Sequence, residues 1–264
     1  MSGYQLSGDA PSLYARFAGK VIGSFTDELI QAGAPQDGDR VLDVACGTGL
    51  VAARVRLASQ KLCTVTGVDI NEGMLGVARN NSEVEWRQGS ATALPFADGS
   101  FDLVLCQQGL QYFPDRPSAV QQMARVLVPG GRLAVSVWGA YERQPFHVAL
   151  IEEIGKYMGA DAKAPFDLAF SLNTAEELRQ LAAGAKLTDI RVRFTHRTMR
   201  HAAPGELIAG FAATTPIAGQ FLAMPADRQR AFVGSILERL SGYIDDGGLA
   251  VPQENHYLTA LKPA

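Results

Sequence analysis

Arg40-Val41-Leu42-Asp43-Val44-Ala45-Cys46-Gly47-Thr48-Gly49-Leu50-Val51 is the stretch on which the fold turns. Val41, Leu42 and Val44 are strand formers with Asp43 set among them. Gly47-Thr48-Gly49 follows, and residues 50–54 then have helical composition. A short buried strand that runs through a glycine turn into a helix is the layout of a nucleotide site. Glycine carries no Cβ, so a ligand can approach the backbone. The helix start offers free N–H groups and a partial positive charge.

Asp43 narrows the ligand. A dinucleotide would lay its pyrophosphate beside this loop, where a fixed carboxylate at the strand mouth repels it. S-adenosylmethionine carries a sulfonium, an ammonium and a single carboxylate, so an acid near the glycines suits it. This reading predicts a methyl-donor site, with S-adenosylhomocysteine as the product.

Further segments extend the pattern. Gly67-Val68-Asp69-Ile70 precedes Met74-Leu75; Ala93-Leu94-Pro95-Phe96 precedes Ser100-Phe101-Asp102; and Val126-Leu127-Val128-Pro129-Gly130-Gly131 follows. Over residues 41–138 the order and spacing resemble class I S-adenosylmethionine-dependent methyltransferases, in the branch of the ubiquinone- and menaquinone-type enzymes. The resemblance implies a doubly wound, seven-stranded, mostly parallel Rossmann-like sheet with an antiparallel edge strand and a helical cap. It implies one domain over 1–264, a helical lid at 1–34, and cap insertions at 141–173 and 201–249.

Strands are predicted at about 40–45, 63–69, 83–88, 101–106, 132–138, 187–199 and 256–261, the last as the antiparallel edge, with residues 205–245 helical. Cofactor contacts are expected from Asp43, Ala45, Gly47, Thr48 and Gly49. Asp69, 22 residues beyond Gly47, has the spacing of an acid that holds both ribose hydroxyls. Ile70 and Met74 are expected on the adenine faces, although Met74 also suits a helix core. Ser90 stands where many members of the family carry an acid, so a hydroxyl or a carbonyl must replace it; Ala91 keeps a backbone N–H for the ring. The Gln107 carbonyl is the expected partner of the donor's ammonium. Gln111 stands where many members have histidine, and an amide cannot act as the base.

The candidates for a proton acceptor or methyl-side contact are His147, His201 and Tyr14. Each also has a structural reading, as a packed or surface side chain. Leu13, Phe17, Val21, Phe25 and Leu29 form a helical stripe around Tyr14. Arg191, Arg193 and Arg197 alternate along a strand, which reads as a solvated face or as a contact for an acidic partner or second copy. His196 and His201 lack metal-ligand spacing, so no metal is expected. Cys46, Cys63 and Cys106 form no C-x-x-C pair and read as buried thiols.

Composition bounds the rest. The chain has 264 residues, 47% of them hydrophobic, and a net charge of −3. That balance lacks the basic footprint of a nucleic-acid binder. Met1-Ser2-Gly3-Tyr4 opens no secretory leader, and no apolar run reaches membrane-spanning length. A cytoplasmic enzyme acting on a small, partly apolar acceptor is expected, with a homodimer contact as the other use of an apolar cap. Two rivals stay open. Gly47 to Ala52 also satisfies G-x-G-x-x-A, which suits an NAD(P)-dependent oxidoreductase, and the departures at Ser90 and Gln111 suit a donor-binding protein without catalysis.

Overall fold

β-Branched and aliphatic runs bounded by glycine, proline and aspartate turns set the element order in the computed structural model, which describes residues 8–59, 62–80 and 83–264. Three short helices come first: α1 (Ala10–Arg16), α2 (Ala18–Gly23) and α3 (Thr26–Gly33). Strands and helices then alternate as β1 (Arg40–Val44), α4 (Leu50–Ala58), β2 (Thr64–Asp69), α5 (Glu72–Ala78), β3 (Glu85–Gln88) and β4 (Phe101–Gln107). They continue with α6 (Arg116–Val126), β5 (Leu127–Trp138), α7 (Pro145–Met158), α8 (Ala164–Asp167), α9 (Ala175–Gly184) and β6 (Thr188–His201). The chain ends with α10 (Pro204–Ala212), α11 (Ala218–Leu222), α12 (Ala226–Arg239), β7 (Ile244–Asp245) and β8 (Gly248–Leu261).

The sheet runs β3-β2-β1-β4-β5-β8-β6, with the two-residue β7 paired to β8. β1 pairs in parallel with both β2 and β4, so the order reverses there and opens a crevice at the strand ends. Two cores lie on opposite faces. Val41, Val65, Leu103 and Leu105 pack toward α3 and α4, while Leu42, Val68, Val104 and Val135 pack toward α6 and α9.

The antiparallel strand is not the edge. β8 is antiparallel to β5 and to β6 and lies between them, so β6 is the outermost strand. The reason lies in the side chains. β8 buries Leu249, Val251, Tyr257, Leu258 and Ala260, whereas β6 exposes most of its residues, including Arg191, Arg193 and Arg197. Charged side chains suit an unpaired edge. Phe194 is 61% exposed. β8 also starts at Gly248, eight residues before the expected 256, because β7 turns back on it with Asp245 opposite Gly248. β6 and β8 are each 14 residues long and reach beyond the ends of the parallel strands. The helices between β6 and β8 therefore stand on two long strands, and the stretch 205–245 is split into α10, α11 and α12 near Pro216 and Pro225.

Trp86 on β3 sets the packing beneath the glycine turn. A Cβ on Gly67 would lie 2.4 Å from its indole, and one on Gly49 2.5 Å from it. Both glycines are required by contact with one ring. Gly67→Ala is expected to cost about 1–3 kcal/mol through overpacking, and less in a Trp86→Leu background. Urea unfolding of the two single variants and the double variant measures that coupling.

Candidate active site

The turn after β1 depends on left-handed backbone. Ala45 (φ 57°), Gly47 (φ 53°) and Gly49 (φ 86°) all lie there. The loop after β4 has its own such residue, Gln108 at φ 53°. The two loops touch at Gly109, where a Cβ would lie 2.7 Å from the Ala45 Cβ. Strained backbone at two facing strand ends is a frequent mark of a binding site.

Asp69 ends β2 and clamps this turn. One carboxylate oxygen accepts the Gly47 N–H at 2.8 Å and the other accepts the Asn71 N–H at 2.8 Å. Burial raises its pKa, and the Asn71 and Gly47 N–H groups pull it back. Each carboxylate oxygen still has a lone pair for a further donor.

Asp43 is not at the rim. It is 1% exposed and lies under the loop, on the face that meets α4. Its Oδ2 accepts the Ala52 N–H at 3.2 Å, and its buried Oδ1 has no partner. Burial pushes its pKa up to about 8; the Ala52 N–H offsets part of this, and nearby Asp69 adds to it. The expected fixed negative charge at the mouth is thus a buried acid that holds a proton near neutral pH.

Tyr14, Gly19, Ile22, Asp43, Ala45, Cys46, Gly47, Thr48 and Gln107 line one crevice, with Leu50 and Val51. Its volume is about 50 Å³, against roughly 300–1,000 Å³ for a small-molecule pocket. The N-terminal helices fill the difference. Thr26 Oγ1 donates to Gln107 Oε1 at 2.9 Å, and Gln107 Nε2 donates to the Ile22 carbonyl at 3.1 Å. The Phe17 ring seats on the bare backbone of Gly210 in α10, where a Cβ would lie 2.3 Å from it. Burial raises the pKa of Tyr14, and the neighbouring Tyr112 and Asp69 raise it further. The thiols of Cys46 and Cys106 are also pushed up by burial, that of Cys106 to about 12, which fits packed lining rather than nucleophiles.

The other expected contacts spread around this centre. Met74 is buried, with its Cε 3.5 Å from where a Gly47 Cβ would be, and Ile70 is 58% exposed. The Ser90 hydroxyl lies 2.9 Å from the Thr92 hydroxyl and accepts the Thr92 N–H at 3.3 Å, and Ala91 is buried beside it. Gln111 is fully buried and donates to Gln108 Oε1 at 2.9 Å. The roles of the Trp86 indole and the Gln107 side chain went unread in the sequence; the alternation of β3 and β4 carried the only signal.

The two histidine candidates separate. His147 is 5% exposed, boxed by Trp138, Phe146, Phe170 and Phe211 at ring distances of 5.0–6.0 Å. Its Nδ1 has no partner, and burial lowers its pKa to about 4. His201 ends β6 opposite Leu249, and its Nδ1 lies 3.0 Å from the Ala203 carbonyl in the turn into α10. His196 and His256 flank the buried Glu254 carboxylate at 3.4 and 3.5 Å. Among the described residues no group of three or more His, Cys, Asp or Glu could hold a metal.

Two pH dependences follow for the ligand-free protein. The folded pKa of Asp43 is raised, so its contribution to stability is complete below about 4 and is lost as pH rises toward about 8. Asp43→Asn is expected to gain melting temperature relative to the parent as pH rises over that window. The folded pKa of His147 is lowered, so its contribution is present above about 6.5 and is lost as pH falls through about 4. His147→Phe is expected to remove about 3 kcal/mol of acid destabilisation. Thermal melts from pH 4 to 9 check both.

Comparison with known proteins agrees with this geometry. The family described as a methyltransferase domain matches residues 42–135. The demethylmenaquinone methyltransferase of Desulfitobacterium hafniense is 32% identical over 182 residues, covering 62% of this chain and 72% of that one. The ubiquinone/menaquinone biosynthesis C-methyltransferase UbiE of Escherichia coli is 36% identical over 151 residues, covering 51% of this chain and 59% of that one. In fold, the chain superposes on a Haemonchus contortus phosphoethanolamine N-methyltransferase in complex with S-adenosyl-L-methionine, with TM-score 0.58 and 18% identity over 98% of this chain and 61% of that one. With the glycine turn, the Asp69 clamp and the switch-point crevice in place, the chain belongs to the class I S-adenosylmethionine-dependent methyltransferases of the ubiquinone/menaquinone type.

Proposed function

We propose that the enzyme moves a methyl group from S-adenosylmethionine to a small, partly apolar acceptor, for which the names of its relatives suggest a quinone-like ring. The observation that carries the reading is the Asp69 carboxylate bonded to the Gly47 N–H, which makes a ribose-binding acid and a glycine turn one unit.

The residues present fit the donor. Asp69 would hold the ribose hydroxyls, with Gly47, Thr48 and Gly49 against the backbone of the ligand. Ile70 and Met74 would flank the adenine, with Ser90 and Ala91 at its edge. Ala45 and the Gln107 carbonyl would meet the amino-acid end, above the unpartnered Asp43 Oδ1, which a cation would help to ionise. When bound, the donor supplies a methyl already activated as a sulfonium. The remaining work is alignment and exclusion of water. The N-terminal helices α1, α2 and α3, with Tyr14 on α1, act as the lid expected at 1–34, of which residues 1–7 lie outside the described residues, and the insertions at 141–173 and 201–249 act as the cap that selects the acceptor. Neither histidine is favoured as proton acceptor: burial lowers the pKa of His147 to about 4, which makes it a weak base, and His201 is engaged in its own turn. The negative net charge supports an enzyme without a nucleic-acid partner.

Titration calorimetry with S-adenosylhomocysteine and with NADH tests the donor. S-adenosylhomocysteine is expected to bind, and NADH binding in its place would end the reading. Asp69→Ala is expected to weaken the donor by about 1.5–3 kcal/mol. Donor binding without methyl transfer across a panel of hydroxylated aromatics, followed by mass spectrometry, would mark a non-catalytic protein.

A further inference from the structure

β5, β8 and β6 present a polar strip on the face covered by α3. Ser136 on β5 faces Tyr257 on β8, Trp138 faces Asn255, and Gln253 faces Arg197 on β6. Side chains alternate along a strand, so Ser136, Asn255 and Gln253 share a face. All three are 0% exposed. The Ser136 hydroxyl, both amide atoms of Asn255 and both of Gln253 have no hydrogen-bond partner, nor has Oε2 of the buried Glu28 on α3. The Tyr257 hydroxyl beside Asn255 donates to the Phe25 carbonyl at 3.1 Å. The other oxygen of Glu28 is paired with Arg197.

An unpaired buried polar group costs about 1–3 kcal/mol. Six such atoms would rival the whole stability of a domain, roughly 5–15 kcal/mol. Partners for these atoms would remove that cost. The strip starts beside the donor crevice, because Ser136 pairs with Gln107, which lines it. It ends two strands away, about 10 Å at roughly 4.8 Å per strand. Trp138, Val251 and Phe25 make the surroundings apolar.

We propose that Ser136, Asn255, Gln253 and Glu28 form the subsite that holds the polar end of the methyl acceptor. The amides offer donors and acceptors, but the ion-paired Glu28 carboxylate only accepts. The group held there therefore carries at least one hydroxyl donor. Space for it opens when the N-terminal helices withdraw, a movement that a donor crevice of about 50 Å³ also requires. The proposal rests on the methyltransferase reading above.

The test uses the full chain saturated with S-adenosylhomocysteine, titrated with 1,4-dihydroxynaphthalene kept reduced, or with 1,4-dimethoxynaphthalene, which has the same ring but no hydroxyl donor. The dihydroxy probe is expected to bind at least about tenfold more tightly, a difference of about 1.4 kcal/mol. Gln253→Leu and Asn255→Leu are expected to erase most of that preference while S-adenosylhomocysteine affinity stays within about twofold. Ser136→Ala adds no bulk and serves if either leucine variant fails to fold; it is expected to lower the preference severalfold. Equal binding of the two probes, or none, overturns the subsite. So does a preference kept in the variants together with a raised melting temperature, which would leave the strip holding water alone. Failure of the unmodified protein to bind S-adenosylhomocysteine would count against the donor reading instead.

Discussion

The hydrogen bond from the Gly47 N–H to the Asp69 carboxylate is the contact through which the rest of the site is ordered. A glycine turn in left-handed backbone has many alternatives in the unfolded chain. Tying it to the end of the neighbouring strand selects one. Because Asp69 also holds the Asn71 N–H, the same carboxylate joins the β1 turn to the start of α5. Trp86 completes the arrangement from below, filling the space that the absent side chains of Gly49 and Gly67 leave.

Above this floor the N-terminal helices bridge the donor crevice and the cap. Gln107 holds them at the end of β4, and Phe17 locks them against Gly210 in α10. α1 packs on α5 at one side and on α10 at the other. A shift of these helices would therefore be felt at α5 and α10 together. Such coupling suits a reaction that needs both ligands aligned and water kept out.

The acid of the first strand is a lesson in burial. A carboxylate in that position reads as a charge when only neighbours along the chain are considered. In the folded molecule Asp43 points into the core, where one N–H from α4 does not repay its desolvation. A buried acid that holds its proton sets up no standing field to repel phosphate.

The alternation of strands and helices as far as β5 and the glycine turn were legible along the chain, because each rests on short segments with strong local preferences, such as Gly47 and Gly49 for positive φ and Asp69 at a strand end. What lay beyond local preference came only with the tertiary fold. Whether β8 or β6 is the edge depends on which strand has two apolar faces to cover, and β8 shows that only once both neighbours are present. The ionisation of Asp43 and His147 depends on burial by segments distant in sequence. The strip of Ser136, Asn255, Gln253 and Glu28 draws on three separate parts of the chain, and each residue alone reads as an ordinary polar side chain. Sequence determined the elements and the glycine turn, where near neighbours decide the energy; the tertiary structure decided charge states, edges and the buried polar strip, where desolvation by remote groups does.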